Sequence, residues 1–243
     1  MEKILVIQTA STGDVILLTS LLEKLHHKFP QAQLDVLVKK PNHKLFDSHP
    51  FINNVWVWDK SDKKYLRLLV LCQEIRKEGY DVVFCVQRFF SAGLITLLSK
   101  AKKRVGFNKN PLSCFFTHKV EHKIEKGIHE VDRNISLMEG YWCNTAPQPR
   151  LYPSKNDYSK TSVYKQGNYY TLSPASLWQT KTLEADKWIE LADSMPEESM
   201  LYLLGSASDK SLCEYILKKT KHANTFNLSG KLSLLQSAAL MKD

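Results

Sequence analysis

An α/β fold, a parallel sheet covered by helices on both faces, is predicted by three observations. Short apolar runs such as ILVI (4–7) and VVFCV (82–86) lack the polar alternation of a half-exposed strand and read as strands buried on both faces. Stretches of helical period lie between these runs. Crossovers between parallel strands are right-handed, so the alternation winds into a doubly wound layer.

The elements follow in order. Residues 4–8 read as the first strand. Residues 15–29 read as a helix with apolar Ile16, Leu17, Leu21 and Leu25 and polar Glu23, Lys24, His27 and Lys28. Strands are predicted at 34–38 and 55–58, then an amphipathic helix at 65–77 closed by Gly79. A strand at 80–86, a helix at 92–99, a short strand at 104–107 and a long helix at 129–142 come next. From 146 to 166 the texture turns to Pro, Ser, Lys and Tyr without sustained period, as in a linker. The pattern restarts with a strand at 168–173, a helix at 183–194, a strand at 200–204, a helix at 208–220 and a last helix from 232. The expected domains are 1–153 and 168–243, joined by a linker at 154–167. The second, with two or three strands, is expected to be incomplete.

With 243 residues and 43% hydrophobic content, the chain can bury a substantial core. No segment approaches the roughly 20 uninterrupted apolar residues of a spanning helix, and the first strand begins too early to leave room for a signal peptide. Five cysteines, scattered and without CxxC spacing, point to reduced thiols and a cytoplasmic setting rather than to disulfides or zinc. Charge is unevenly shared. Residues 1–165 hold 26 Lys and Arg against 16 Asp and Glu, and residues 166–243 hold 8 against 9. The basic first part suits an anionic partner (nucleic acid, lipid headgroup or phosphorylated glycan) and equally suits a plain soluble surface.

The most informative stretch is KILVIQTASTGD (3–14). It places Asp14 where a helix opens at the mouth of a parallel sheet, suited to a catalytic base, with Gly13 permitting a sharp turn close to a ligand. Ser11, Thr12 and Asp14 are equally suited to cap that helix, a role worth about 1 kcal/mol. The turn lacks GxGxxG, so a dinucleotide fingerprint is weak. In SPASLWQTK (173–181) a polar loop after a strand carries Ser176, Thr180 and Lys181. That lysine is placed for a diphosphate, although a single loop lysine is more commonly solvated. GSASD (205–209) is a strand-to-helix turn in which Asp209 suits a ribose contact or an ordinary cap.

These pieces, taken with LDVLVKKPN (34–42), VWVWDK (55–60), YDVVFCVQR (80–88), RVGF (104–107), GIHEVDRN (127–134), LLGSASD (203–209) and LSGKLSLLQSAAL (228–240), resemble the glycosyltransferase family 9 heptosyltransferases along essentially the whole chain. The resemblance implies two Rossmann-like domains in the GT-B arrangement, the first for the acceptor and the second for a nucleotide-sugar, typically ADP-heptose. It places the family's base on Asp14, its phosphate-contacting lysine on Lys181, a hydroxyl-bearing loop residue on Ser176 and an acidic ribose contact near Asp209. A neighbouring position, often Thr in the family, is Leu177 here. The family also has a D-[ST]-G-x-x-H-like turn after the LSGK helix, and this sequence ends at Asp243 before it. The expectation is that this polypeptide transfers weakly or not at all.

The implied reaction is an inverting displacement on ADP-heptose without cofactor or metal, with Asp14 as proton acceptor and Lys181 meeting the charge of departing ADP. The implied acceptor is an anionic glycolipid resembling lipid A–Kdo, met by Gly13, Lys39 and Arg88, the last two at strand ends. The run Lys100, Lys102, Lys103, Arg104 is a candidate for peripheral contact with the inner face of the inner membrane, and equally an ordinary basic turn. Other readings stay open. A folded remnant without activity shares every motif. A nucleic-acid module accounts for the charge but not for the absence of interleaved aromatics or a helix-turn-helix signature, so no nucleic-acid partner is expected. A nicotinamide enzyme requires an acidic residue ending the second strand, where Lys39 and Lys40 stand.

Overall fold

The structure, a computed structural model, describes residues 2–138, 147–176 and 178–242. The chain divides into two compact units, Met1–Tyr152 and Pro153–Asp243.

The first unit is built on six parallel strands: β1 (Lys3–Gln8), β2 (Gln33–Lys39), β3 (Ile52–Trp58), β4 (Val82–Cys85), β5 (Lys103–Phe107) and β6 (His118–Val120). Their order is β3-β2-β1-β4-β5-β6, that of the Rossmann sheet, which binds ligands beyond the carboxyl ends of its strands where the order reverses. That switch falls between β1 and β4, paired from Ile4↔Val82 to Ile7↔Cys85.

The central strand shows why both faces are covered. Ile4 and Val6 join Leu18, Leu21, Leu22 and Leu25 of helix α1 (Thr12–Lys28) in one core cluster. Leu5 and Ile7 point the other way. They join Leu68, Leu71 and Ile75 of α2 (Lys64–Glu78) and Ala92 and Ile95 of α3 (Phe90–Leu98). Each such side chain, fully buried, contributes about 1.5–3 kcal/mol, so a strand apolar at every position from Ile4 to Ile7 specifies a sheet with helices on both sides. Gly79 stops α2 in the left-handed region (φ 67), which glycine adopts without penalty. Helix α4 (Glu130–Ser136) packs beside α1. The helix expected at 129–142 is shorter among the described residues, ending at Ser136 with a turn at Leu137–Met138, and 139–142 lie outside the described residues.

The second unit is a smaller version. Strands β7 (Tyr169–Leu172), β8 (Met200–Leu203) and β9 (Thr225–Asn227) form a parallel sheet in that order. Leu201 and Leu203 pack against Ala192 of α6 (Ala185–Asp193) and Cys213 and Ile216 of α7 (Lys210–Lys219). Tyr202 and Leu204 face Leu240 of α8 (Leu234–Leu240). Most of the stretch read as a linker is not extended chain. It contains helix α5 (Lys155–Thr161), packed on α8, and a 3-10 turn (Ser162–Tyr164) whose Tyr164 ring meets Tyr202 edge-on at 5.4 Å. The cause is local: Ser154 accepts the Asp157 amide while Asp157 accepts from Ser154, a capping box that starts a helix in polar sequence.

Candidate active site

Asp14 lies in the first turn of α1, directly beyond the carboxyl end of β1. Its Oδ2 accepts the Ser11 amide (3.0 Å) and the Ser11 hydroxyl (2.6 Å), so the capping role exists. The same residue lines a cleft of about 270 Å³ with Gln8, Gln87, Arg88, His122, Glu130 and Arg133. Capping and exposure to a cleft therefore coexist in one carboxylate.

The turn is held from two sides. Asn42, buried in the segment after β2, donates to the Ala10 carbonyl (3.2 Å), and its Oδ1 accepts the Thr12 hydroxyl (2.9 Å). Gln87, following β4, accepts both the amide (2.9 Å) and the hydroxyl (2.8 Å) of Thr9. The Lys60 ammonium donates to the Thr9 carbonyl at 3.1 Å and sits 4.3 Å above the Trp58 ring. Burial lowers its pKa first, and the charges of Lys39 and Lys64 lower it further. The residues that fix the Asp14 turn thus come from the exits of β2, β3 and β4, which the strand order brings together.

Arg88 is exposed on the cleft rim and enters no ion pair among the described residues. Arg133 is engaged by the Glu130 carboxylate and donates to the Lys123 carbonyl at 2.8 Å. Burial pushes the Glu130 carboxyl up; Arg133 and Arg88 pull it down and Asp14 pushes it up. His122, stacked edge-on against Phe107 at 4.8 Å, is held below the ordinary imidazole range by burial and then by Arg88 and Arg133. The cleft can take an anionic ligand on Arg88 beside a carboxylate that accepts protons.

The other predicted residues fall as follows. Lys39 ends β2 and does not line the cleft. Gly13 departs from its expected conformation: it lies inside α1 without a positive φ, and a Cβ there would meet nothing within 4 Å. The sharp turn was unnecessary because the helix begins one residue earlier, and what glycine leaves is open space beside Asp14. In the second unit, Ser176 Oγ accepts the Trp178 amide (3.2 Å). Thr180 and Lys181 are exposed on a 3-10 turn (Gln179–Lys181), the Lys181 amide donating to the Trp178 carbonyl at 2.9 Å. Leu177 lies outside the described residues. Asp209 is taken up as a cap, its Oδ2 accepting the Ser206 amide (2.7 Å) and hydroxyl (2.6 Å). A hollow of about 510 Å³ lined by Tyr164, Tyr202 and Phe226 contains none of these four.

The basic run that leads into the start of β5 is tied to the protein. Lys102 pairs with Asp81 at 2.9 Å, and Arg104 donates to the Ala101 (2.6 Å) and Phe115 (3.1 Å) carbonyls. It sits at the amino edge of the sheet, opposite the cleft. Glu130, Arg133, His122 and Asn42 are the site residues that sequence reasoning did not single out. Glu130 and Arg133 carried one signal, an acid and a base three apart in a predicted helix.

Two parallel α/β units, the first of Rossmann order with an acid at its topological switch point, fit the fold class of GT-B glycosyltransferases. The family model for glycosyltransferase family 9 (heptosyltransferase) matches residues 68–243, and the chain belongs to that family. It is similar to the lipopolysaccharide core heptosyltransferase OpsX of Haemophilus influenzae, at 22% identity over 251 residues covering 99% of this chain and 71% of that protein. Among solved structures it superposes on the ADP-heptose lipopolysaccharide heptosyltransferase II of E. coli with a TM-score of 0.82 at 22% identity, covering 98% of this chain and 76% of that one. A family 9 glycosyl transferase from Veillonella parvula gives a TM-score of 0.88 at 18% identity, covering 99% of this chain and 72% of that one.

Proposed function

We propose that this protein moves a heptose from ADP-heptose onto an anionic glycolipid acceptor of the lipopolysaccharide inner core, at the cytoplasmic side of the membrane, with inversion at the anomeric carbon. The first unit takes the acceptor and the second the donor. Oδ2 of Asp14 is committed to Ser11, and Oδ1 is the atom assigned to accept the proton of the attacking hydroxyl. Arg88 binds a phosphate or carboxylate of the acceptor. Lys181, with backbone amides of its loop, meets the charge that develops on departing ADP. The observation that carries this reading is the placement of Asp14: a carboxylate at the switch point of a Rossmann-order sheet, lining a cleft beside an arginine with no ion pair among the described residues. The family and the names of the relatives support the choice of sugar and acceptor.

The test is transfer of heptose from ADP-heptose to a Kdo-bearing lipid A acceptor, with donor binding followed separately by calorimetry. Asp14→Ala is expected to lower kcat by roughly 10²–10⁴-fold while leaving the ADP dissociation constant within about twofold. Transfer at the wild-type rate in Asp14→Ala would place the base elsewhere.

A further inference from the structure

The exposed surface of α2 changes character along its length. Its inner side, Leu68, Leu71, Cys72 and Ile75, is buried against the sheet. Toward its carboxyl end the outer side is polar: Gln73, Glu74, Arg76 and Lys77. The first two turns instead present Tyr65, Leu66, Leu69 and Val70, each between 47% and 70% exposed. An ordinary solvated helix face would be polar throughout. The apolar half is the half that lies at the carboxyl edge of the sheet, since α2 starts where β3 ends. Helix α3 packs against α2 and begins at the same edge with Phe89 and Phe90, 62% and 56% exposed. Phe89 also lines the Asp14 cleft. The apolar patch and the cleft mouth therefore lie at the same edge of the same sheet.

Cations rim this patch. Lys63 and Lys64 open α2, Lys64 lying 4.8 Å over the Tyr65 ring, and Arg67 sits among the leucines with Asp59 at 2.9 Å. Lys39, Lys40 and Lys60 belong to the same sheet edge. Apolar side chains flanked by lysines fit the boundary between acyl chains and anionic headgroups, where the first enter the membrane and the second stay with phosphate.

We propose that the first two turns of α2, with Phe90 of α3, dock the protein on an anionic lipid bilayer and so present the Asp14 cleft to a lipid-anchored acceptor. The orientation follows from the fold, because patch and cleft share one edge of one sheet. The proposal rests on the function proposed above only for its purpose, and its test contains no sugar substrate.

The test is co-sedimentation of the full chain with vesicles containing about one-third phosphatidylglycerol in phosphatidylcholine, beside pure phosphatidylcholine. Binding is expected to the anionic vesicles, at least tenfold weaker to the neutral ones and weakened by salt. Leu66→Ser/Leu69→Ser, both exposed, should keep the thermal midpoint within about 2 °C and lower the partition coefficient fivefold or more. Lys63→Glu/Lys64→Glu should lower it tenfold or more. Asp14→Ala should bind as wild type does, which separates docking from catalysis. Wild-type protein left in the supernatant overturns the proposal. So does a serine pair that binds vesicles normally, or one whose only effect is to dissolve a dimer seen in solution.

Discussion

Two turns in this molecule have the same local chemistry and different surroundings. At Ser11–Asp14 and at Ser206–Asp209, an aspartate three residues after a serine accepts that serine's amide and hydroxyl, at 3.0 and 2.6 Å in the first and 2.7 and 2.6 Å in the second. Ser154 and Asp157 repeat the device a third time. The motif is therefore a helix starter, and it does not mark a base. What separates Asp14 is what the topology brings to it: Arg88 from the exit of β4, His122 from beyond β6, Glu130 and Arg133 from α4. Around Asp209 the described residues bring the neighbouring Ser208 hydroxyl at 3.4 Å and packing, with Gly230 folded against Ala207 so that a Cβ there would lie 3.0 Å from the Ala207 backbone.

The largest expected effect breaks the symmetry of the two turns directly. Asp14→Ala and Asp209→Ala each remove a cap, and each should cost about 1 kcal/mol, or ~2–4 °C in the melting midpoint of a chain this size. Only Asp14→Ala should lower kcat, by roughly 10²–10⁴-fold, the usual contribution of a general base. Ser11→Ala supplies the control, since it loses hydroxyl capping but keeps the carboxylate; kcat should fall less than tenfold. Equal losses of kcat in the two aspartate variants would reduce Asp14 to a cap.

Next in size is the arginine. A charge-assisted hydrogen bond contributes roughly 1.5–3 kcal/mol, so Arg88→Ala should raise the acceptor KM by roughly 10- to 100-fold while the donor KM stays within about twofold. A change confined to the donor would assign the cleft to the wrong substrate.

Arg88 also acts on His122, and this gives a smaller effect readable without substrate. Burial and then the two arginines hold the imidazole below its unfolded value of 6.5. The folded state thus resists a proton that the unfolded chain accepts. The stability tied to His122 is whole above about pH 6.5 and drains as pH falls through that value toward the lower, folded one. Arg88→Ala removes one cause, so the NMR titration of His122 should move up yet stay below the ordinary value, because burial, the larger cause, remains. An unchanged titration would mean that Arg88 points away from the cleft.

Much of this was legible in sequence, for reasons that also explain the gaps. β1 is apolar from Ile4 to Ile7, β4 throughout and β2 at four of its seven positions, and α1 and α2 carry a full buried stripe, so periodicity located them. β6 (HKV) and β9 (TFN) are three residues long, too short to show any period, and exist because a neighbour pairs with them: Val105↔His118 and Leu201↔Thr225. α5 was hidden because only Thr161 of its seven residues is buried. Asp14 and Arg88 were found because both follow apolar strands. His122 and Glu130 reach the same cleft from beyond β6, a strand the sequence does not display, and Asn42 from a segment with no periodic signal of its own.

The smallest effect concerns the glycines. In the second turn Gly205 is a packing glycine, for a Cβ there would lie 3.0 Å from the Asp209 Cβ. Gly13 has open space and ordinary helical backbone. If nothing used that space, alanine would be the better residue, since it favours the helix by up to about 1 kcal/mol and less in the first turn. We infer that the space serves the acceptor although Gly13 is not among the residues lining the cleft, so Gly13→Ala should raise the melting midpoint by about 1–3 °C while lowering kcat/KM for the acceptor severalfold. A variant that is more stable and fully active would show that the bare backbone beside Asp14 admits no ligand. Such a result would leave the charge around the two aspartates as the one difference between their turns.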